Sequence, residues 1–334
     1  MPALLCLPMG GTMALHTFED RVRHKKAPGI LVPQPRAEAR RVPERLVHRT
    51  SATDVLPVTW ERTGETRFLA TVRWPHDHPS FGPVAGRYSP LVISETLRQT
   101  AMLLAHAEFG VPMDHHFVMW DISHTARPEH LRVGPTPAEV TVEVDCSDVR
   151  NRGGRLAGMH CHMAIRIGAD TVAAGGGDLT ITSPAAYRRI RARRLGERLP
   201  ATPPPPAPEI AAALDAREVM LAPAAGPGRW QLRTDHRHPS VSGRSNDHYP
   251  GMVLVAAALQ AARAVTPATF YPVSSSIRFS RYAEFSSPCW IEARVVGGNG
   301  GSGPSVRVTG HQDGQPVFVA TLAGGPSDSP HQAA

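Results

Sequence analysis

Pro90-Leu-Val-Ile-Ser-Glu95-Thr-Leu-Arg98-Gln99 and Pro250-Gly251-Met-Val-Leu-Val-Ala256-Ala-Ala-Leu259-Gln260 read as two openings of one kind of helix. Each starts on a proline, which suits a first helical position. Each follows an Asp-His pair, Asp77-His78 or Asp247-His248, and each is succeeded by strand-like segments. A pattern that occurs twice at this scale sets the architecture before any single side chain is read. The copies are unequal, because Glu95 and Arg98 stand where the second copy has Ala256 and Leu259.

Outward from the first helix, expected over Pro90 to about Glu108 with Gly110 at its end, the chain reads as β-structure. Val58 to Trp74 forms a hairpin around Thr63-Gly64-Glu65. Strands follow at Phe117–Ile122, Ala138–Val144, Leu156–Ile167 and Thr171–Ile181, with turns at Asn151–Arg155 and Gly168–Asp170. The second copy repeats this order: a strand near Arg229–Arg233, the helix from Pro250 to about Val265, then strands at Ser276–Tyr282, Cys289–Val296, Ser305–His311 and Pro316–Leu322. One long helix among antiparallel strands is an α+β pattern rather than βαβ. The expected units are a basic, Pro-rich, mobile arm over 1–44, a first unit over 45–185, a basic and Pro-rich linker over 186–226, a second unit over 227–324 and a tail over 325–334.

The 334 residues suffice for two ordinary domains. No apolar stretch is long enough to span a bilayer, and the start lacks the leader of a signal peptide, so a cytoplasmic location is expected. The cysteines, Cys6, Cys146, Cys161 and Cys289, have no paired spacing and read as free thiols. A net charge of +7 fits an acidic macromolecular partner or an anionic substrate. Nucleic acid is not expected, since no helix-turn-helix, zinc-finger or RNP-type motif accompanies the charge. His76/His78, His160/His162 and His236/His238 are His-x-His pairs, but no four-ligand pattern assembles and no metal is expected.

The first helix is apolar over most of its surface and should be wrapped by sheet. Glu95, Arg98 and Gln99 interrupt it at spacings of three and four, so they share a face. A buried carboxylate must be paired or used. Either Glu95 and Arg98 satisfy each other, or Glu95 is a general base in a cleft. Of the polar groups around the two helix starts, His248 is a candidate catalytic residue, and Asp77, His78, Asp247 and Gly251, together with Gln260, are candidate substrate contacts; a helix N-terminus can stabilise an oxyanion. Arg150, Arg152 and Arg155 cluster at a hairpin turn, as a solvated tip or a phosphate site. The run from Arg188 to Arg194 is a solvated end or a docking surface for an acidic protein.

Asp247-His-Tyr-Pro-Gly251-Met-Val-Leu-Val-Ala256-Ala-Ala-Leu-Gln260 is similar to the central-helix start of hotdog dehydratases. Further stretches resemble the A-factor biosynthesis (AfsA-like) family: Val47-His-Arg49, Trp74-Pro-His-Asp-His-Pro79, Ser94–Gln99, Gly110–His115, Val149–Met159, Tyr187-Arg-Arg189 and Arg281–Trp290. The resemblance implies a tandem double hotdog, each unit an antiparallel sheet around one long central helix, paired within one chain, with a further homodimer left open. It implies transfer of a β-ketoacyl group from an acyl carrier protein thioester to the hydroxyl of dihydroxyacetone phosphate, in the making of a γ-butyrolactone, butenolide or furan signal. The acyl group arrives on the phosphopantetheine of the carrier, and no other cofactor is implied. On that reading Glu95 is the base and Gln99 orients the acyl group. Arg98 holds Glu95 ionised or contacts phosphate, and the helix N-terminus after Pro90 polarises the carbonyl.

The resemblance also implies a second Glu and Arg, where this chain has Ala256 and Leu259, and a second Asp-His-Pro, where it has Gly243-Arg244-Ser245. One consequence is a single site built around Glu95 and completed by His248. Alternatives are a dehydratase or thioesterase acting on acyl thioesters, or a non-catalytic relative that binds an acyl group or partner.

Overall fold

Alternate residues of Arg67-Phe-Leu-Ala-Thr-Val-Arg-Trp74, namely Phe68, Ala70, Val72 and Trp74, are buried, the two-residue period of a half-buried strand. The computed structural model describes residues 42–200, 203–212, 214–238, 240–241, 246–297 and 303–325. Most of the expected arm, with Cys6, the Gly243-Arg244-Ser245 stretch and the tail from 326 lie outside the described residues. The described chain begins docked rather than free: Val42 and Val47 are buried against Leu103.

In chain order the first half comprises β1 (Pro57–Arg62), β2 (Arg67–Trp74), α1 (Pro90–Ala107), β3 (His116–Met119), β4 (Asp121–Ala126), β5 (Ala138–Arg152), β6 (Arg155–Ile167) and β7 (Asp170–Thr182). Next come α2 (Pro184–Arg191) and the single turn α3 (Pro208–Ala211). The second half holds β8 (Leu221–Pro223), β9 (Arg229–Leu232), β10 (His248–Tyr249), α4 (Gly251–Ala264), β11 (Pro272–Phe279), β12 (Ala283–Glu284), β13 (Cys289–Gly297), β14 (Ser305–Gln312) and β15 (Gln315–Gly324).

The long strands form one antiparallel sheet in the order β1-β2-β5-β6-β7-β4-β11-β15-β14-β13-β9-β8, with β3 also on β7. The left six and the right six, read from the outer edges inward, follow the same sequence of elements, and they meet where β4 pairs with β11. Helices α1 and α4 are buried along almost their whole length. An apolar helix needs such a wrapping, and the sheet supplies it. Thr96 of α1 accepts a hydrogen bond from the Trp74 indole at 2.8 Å, which pins helix to sheet.

Two expectations change. The strand expected over Phe117–Ile122 is broken at Trp120 into β3 and β4. The expected linker is built into the fold: Tyr187 and Arg191 of α2 are buried, Ala207 and Ile210 join the core, and β8 pairs with β9. Gly175-Gly176-Gly177 explains how β7 approaches its neighbours, because a methyl group there would run into the carbonyls of Ser123, Cys161 and Asp121. The three described cysteines, Cys146, Cys161 and Cys289, are free and buried.

His124 sits on β4 at the seam, opposite Ser275 of β11, and is only 3% exposed. Burial pushes its imidazole from 6.5 down to about 4. The folded protein therefore holds it neutral while the unfolded chain takes up a proton. Its contribution is fully present above pH 6.5 and is lost as pH falls towards about 4, on the order of 3 kcal/mol. Urea midpoints followed against pH should fall across this window, and His124→Asn should flatten the fall.

Candidate active site

The segment Asp247-His248-Tyr249-Pro250-Gly251 makes a strand and a helix start in five residues. His248 and Tyr249 pair with Glu284 and Ala283 of β12. Pro250 ends that strand, because it has no N–H to donate, and caps α4. His248 is thereby fixed three residues before the first turn of the helix.

A buried network orients it. His248 Nδ1 lies 2.7 Å from Asp247 Oδ1. A carboxylate only accepts, so Nδ1 carries the proton and Nε2 of the neutral ring is left as the basic nitrogen. The Asp247 carboxylate also accepts from the Tyr187 hydroxyl at 2.7 Å and from Arg191 Nε at 3.1 Å. The other arms of Arg191 grip Glu284 at 2.6 Å each, and its guanidinium lies 4.4 Å from the centre of the Tyr282 ring. Tyr282 in turn meets the His248 ring edge-on at 4.6 Å. Burial alone would raise the Asp247 carboxyl, but hydrogen bonds from His248, Tyr187 and Arg191 outweigh it and hold the group well below the usual range. Asp247 therefore stays ionised and keeps His248 in one tautomer.

The first helix is differently built. Glu95 is fully buried and receives N–H groups from Arg49, from Arg98 at 3.0 and 2.7 Å, and from Gln99 at 2.7 Å. Burial would raise its carboxyl, yet the charges of Arg49 and Arg98 and the bonds from Arg98 and Gln99 bring it down to about 2. A carboxylate so weakly basic, with its oxygens occupied, is a poor proton acceptor near neutral pH. This corrects the expectation that Glu95 is the base. Gln99 does not orient an acyl group either. Its Oε1 accepts from Leu56 N–H at 2.9 Å, and its Nε2 donates to Asp54 O and Glu95.

Gln260 repeats the second role in the other half, accepting from Met220 N–H at 2.8 Å and donating to Glu218 O at 2.7 Å. Both glutamines are structural pins. The same correspondence corrects the pairing of the Asp-His motifs. His78 bonds Asp54 at 2.9 Å and accepts from Ser80 N–H, while His238 bonds Glu218 at 3.2 Å and accepts from Ser240 N–H. The counterpart of Asp77-His78-Pro79 is therefore Arg237-His238-Pro239, not Asp247-His248. Asp77 is exposed, and both ring nitrogens of His78 are spent on the fold.

The helix N-termini differ in the same sense. At α1, Ser89 Oγ accepts from Leu91 N–H at 3.2 Å and Ser89 O from Val92 N–H at 3.0 Å, while Pro90 has no N–H. That end is closed, contrary to the expectation that it polarises a carbonyl. At α4 no side chain caps the helix. The N–H groups of Gly251 and Met252 have no acceptor within the helix. A Cβ on residue 251 would lie 2.9 Å from Met119 Cε, so glycine keeps this approach open.

These parts converge on one cleft of about 870 Å³, within the range of small-molecule sites. Leu97, Met102, Phe117, Met163 and Leu254 give it an apolar wall; Arg49, Arg98, Tyr187, Asp247, His248 and Gly251 supply the polar groups. Glu95 lies instead on a cavity of about 20 Å³ that it shares with Ala256, His78 and His238. Arg150, Arg152 and Arg155 are exposed on β5 and β6 and do not line the cleft. Among the described residues no three His, Cys, Asp or Glu side chains converge as metal ligands, and no helix is long and apolar enough to cross a membrane.

Sequence reading missed Arg191 and Tyr187 as site residues. The signal was present: they are four apart on one helix and share its inner face. Arg49, 46 positions from Glu95, carried no local signal.

The A-factor biosynthesis hotdog domain matches residues 32–183. A 2-oxo-3-(phosphooxy)propyl 3-oxoalkanoate synthase of Streptomyces coelicolor is 46% identical over 287 residues, covering 85% of this chain and 91% of the relative. A synthase of the same name from Streptomyces virginiae is 44% identical over 283 residues, covering 84% and 96%. Among solved structures, a protein assigned as an oleoyl thioesterase from Lactobacillus plantarum aligns with a TM-score of 0.51 at 11% identity, over 79% of this chain and 98% of that one. That likeness carries the fold alone.

Proposed function

The chain belongs to the A-factor biosynthesis (AfsA) hotdog family, and from that premise we propose that it joins a 3-oxoacyl group to the hydroxyl of dihydroxyacetone phosphate. The relatives are named for the resulting ester. The donor is a thioester on the phosphopantetheine of an acyl carrier protein. The observation that carries this reading is the His248–Asp247 dyad beside the open N-terminus of α4 in an apolar cleft.

His248 Nε2 takes the proton of the attacking hydroxyl, whose oxygen adds to the thioester carbonyl carbon. The negative charge that develops on the carbonyl oxygen falls to the Gly251 and Met252 N–H groups. The carbon–sulfur bond then breaks, and the proton passes from Nε2 to the leaving thiolate. Arg98 and Arg49 give the same cleft the positive charge that a phosphate-bearing acceptor needs. Among the described residues, the hydrogen-bond partner of Arg98 Nη1 is the weakly accepting Met102 sulfur, at 2.7 Å. Arg98→Met should raise KM for the phosphorylated acceptor about tenfold or more, with a smaller effect on the acyl donor.

Incubating the protein with a 3-oxoacyl carrier protein, with and without dihydroxyacetone phosphate, and weighing the products tests the reaction. The phosphorylated ester, formed only with both substrates, is expected. Free 3-oxo acid alone would mark a thioesterase, and unchanged thioester a binding protein.

Arg191 is a positioning residue in this scheme, acting through Asp247. Arg191→Lys keeps the charge but cannot bridge Asp247 and Glu284 in the same planar way. It should lower kcat about tenfold or more while leaving KM for the acceptor in place. An equal change in both constants would remove the positioning role.

A further inference from the structure

The inner face of α2 holds the dyad; the outer face is the reverse in character. Arg188, Arg189 and Arg193 are exposed and make no ion pair among the described residues. Between them Ile190 is 63% exposed, and it also lines the mouth of the cleft together with Arg194. Leu195 adds a second exposed aliphatic side chain. Carboxylates on this side already have partners: Glu197 bonds Arg194, Glu284 bonds Arg191, and Asp313 bonds Ser287. Ser183 caps α2 through Ala186 N–H, so Arg188, Arg189 and Ile190 stand on a helix, and Arg193 and Leu195 follow in the turn after its last residue, Arg191.

We propose that the outer face of α2, with the turn that follows it, is the docking surface for an acidic protein domain that presents the acyl thioester to the cleft. This rests on the transfer reaction proposed above. Three unpaired guanidinium groups around an exposed isoleucine match a surface of carboxylates around an apolar contact. Ile190 lines the same cleft as His248, so a domain seated there lies beside the cleft that its tethered acyl chain would enter. Rim charges of this kind act mainly on encounter and lose their effect as salt screens them.

Two donors of the same 3-oxoacyl group separate docking from chemistry: one on a holo acyl carrier protein, the other on free pantetheine. The Arg188→Glu, Arg189→Glu, Arg193→Glu triple variant should lose about tenfold or more in kcat/KM for the carrier-bound donor. It should be unchanged with the pantetheine thioester. Raising ionic strength should have the same selective effect on the native protein. Equal losses with both donors, or none with either, would overturn the docking surface. So would a triple variant whose main defect is loss of binding to duplex DNA or anionic vesicles. Retained transfer from pantetheine would leave the reaction standing in each case, whereas no ester from either donor with the native protein would remove the reaction itself.

Discussion

His248→Ala should lower kcat/KM for ester formation by about a hundredfold to ten-thousandfold, the usual contribution of a positioned general base. The side chain is one-fifth exposed and lines the cleft, so its removal should leave the fold intact. The loss should appear mainly in kcat, because the proton moves in the transition state rather than on binding. Added imidazole should restore part of the rate by entering the vacated space. Asp247→Asn should mimic the defect without opening that space, since an amide no longer stabilises the charged ring or enforces its tautomer. Full activity of His248→Ala would return the search for the base to other residues of the cleft.

Glu95→Gln should be the most damaging single change to stability. It leaves Arg49 and Arg98 buried without their anion, and breaking a buried ion pair from one side costs about 3–5 kcal/mol. The pH dependence carries the same signature. Because the folded carboxyl titrates at about 2 against an ordinary 4.5, its stabilisation is whole above pH 4.5 and is lost as pH falls towards about 2, roughly 3 kcal/mol in all. Urea unfolding of the variant should show a lower midpoint at pH 7 and a flatter acid limb. Activity should fall too, because Arg49 and Arg98 lose the group that aims them into the cleft. The two roles of Glu95 are thus separable: a base would be lost with stability unchanged, whereas a positioning group takes stability with it.

Most of the fold was legible. The doubled helix start, the alternation in β2, and most of the strands after each helix sit within a few residues of their expected places, while β5 runs on to Arg152 and the strand expected over Phe117–Ile122 is broken at Trp120. The reason is physical: period and turn chemistry are local, and both halves obey them. The site was legible in its membership and not in its roles. Glu95, Arg98 and Gln99 do share a face, but what they do depends on Arg49 and Asp54, which come from outside the helix. His78 and His248 look alike in sequence, each after an aspartate. Only the ring partners distinguish them: His78 has both nitrogens bonded within the fold, while His248 turns one towards a cleft. The basic run after Tyr187 misled for a related reason. Charge predicts solvent, and Arg191 is the exception because two carboxylates receive it.

The segment from α2 to β8 joins, in one polypeptide, two halves that meet at the β4–β11 seam. In an assembly of identical copies every substitution is imposed twice, so neither copy of a motif can be given up alone. A covalent union lifts that restriction. Ala256 and Leu259 in one half and Glu95 and Arg98 in the other are then free to differ, with the buried Glu95 ion pairs kept in the first half and the Asp247–His248 pair in the second.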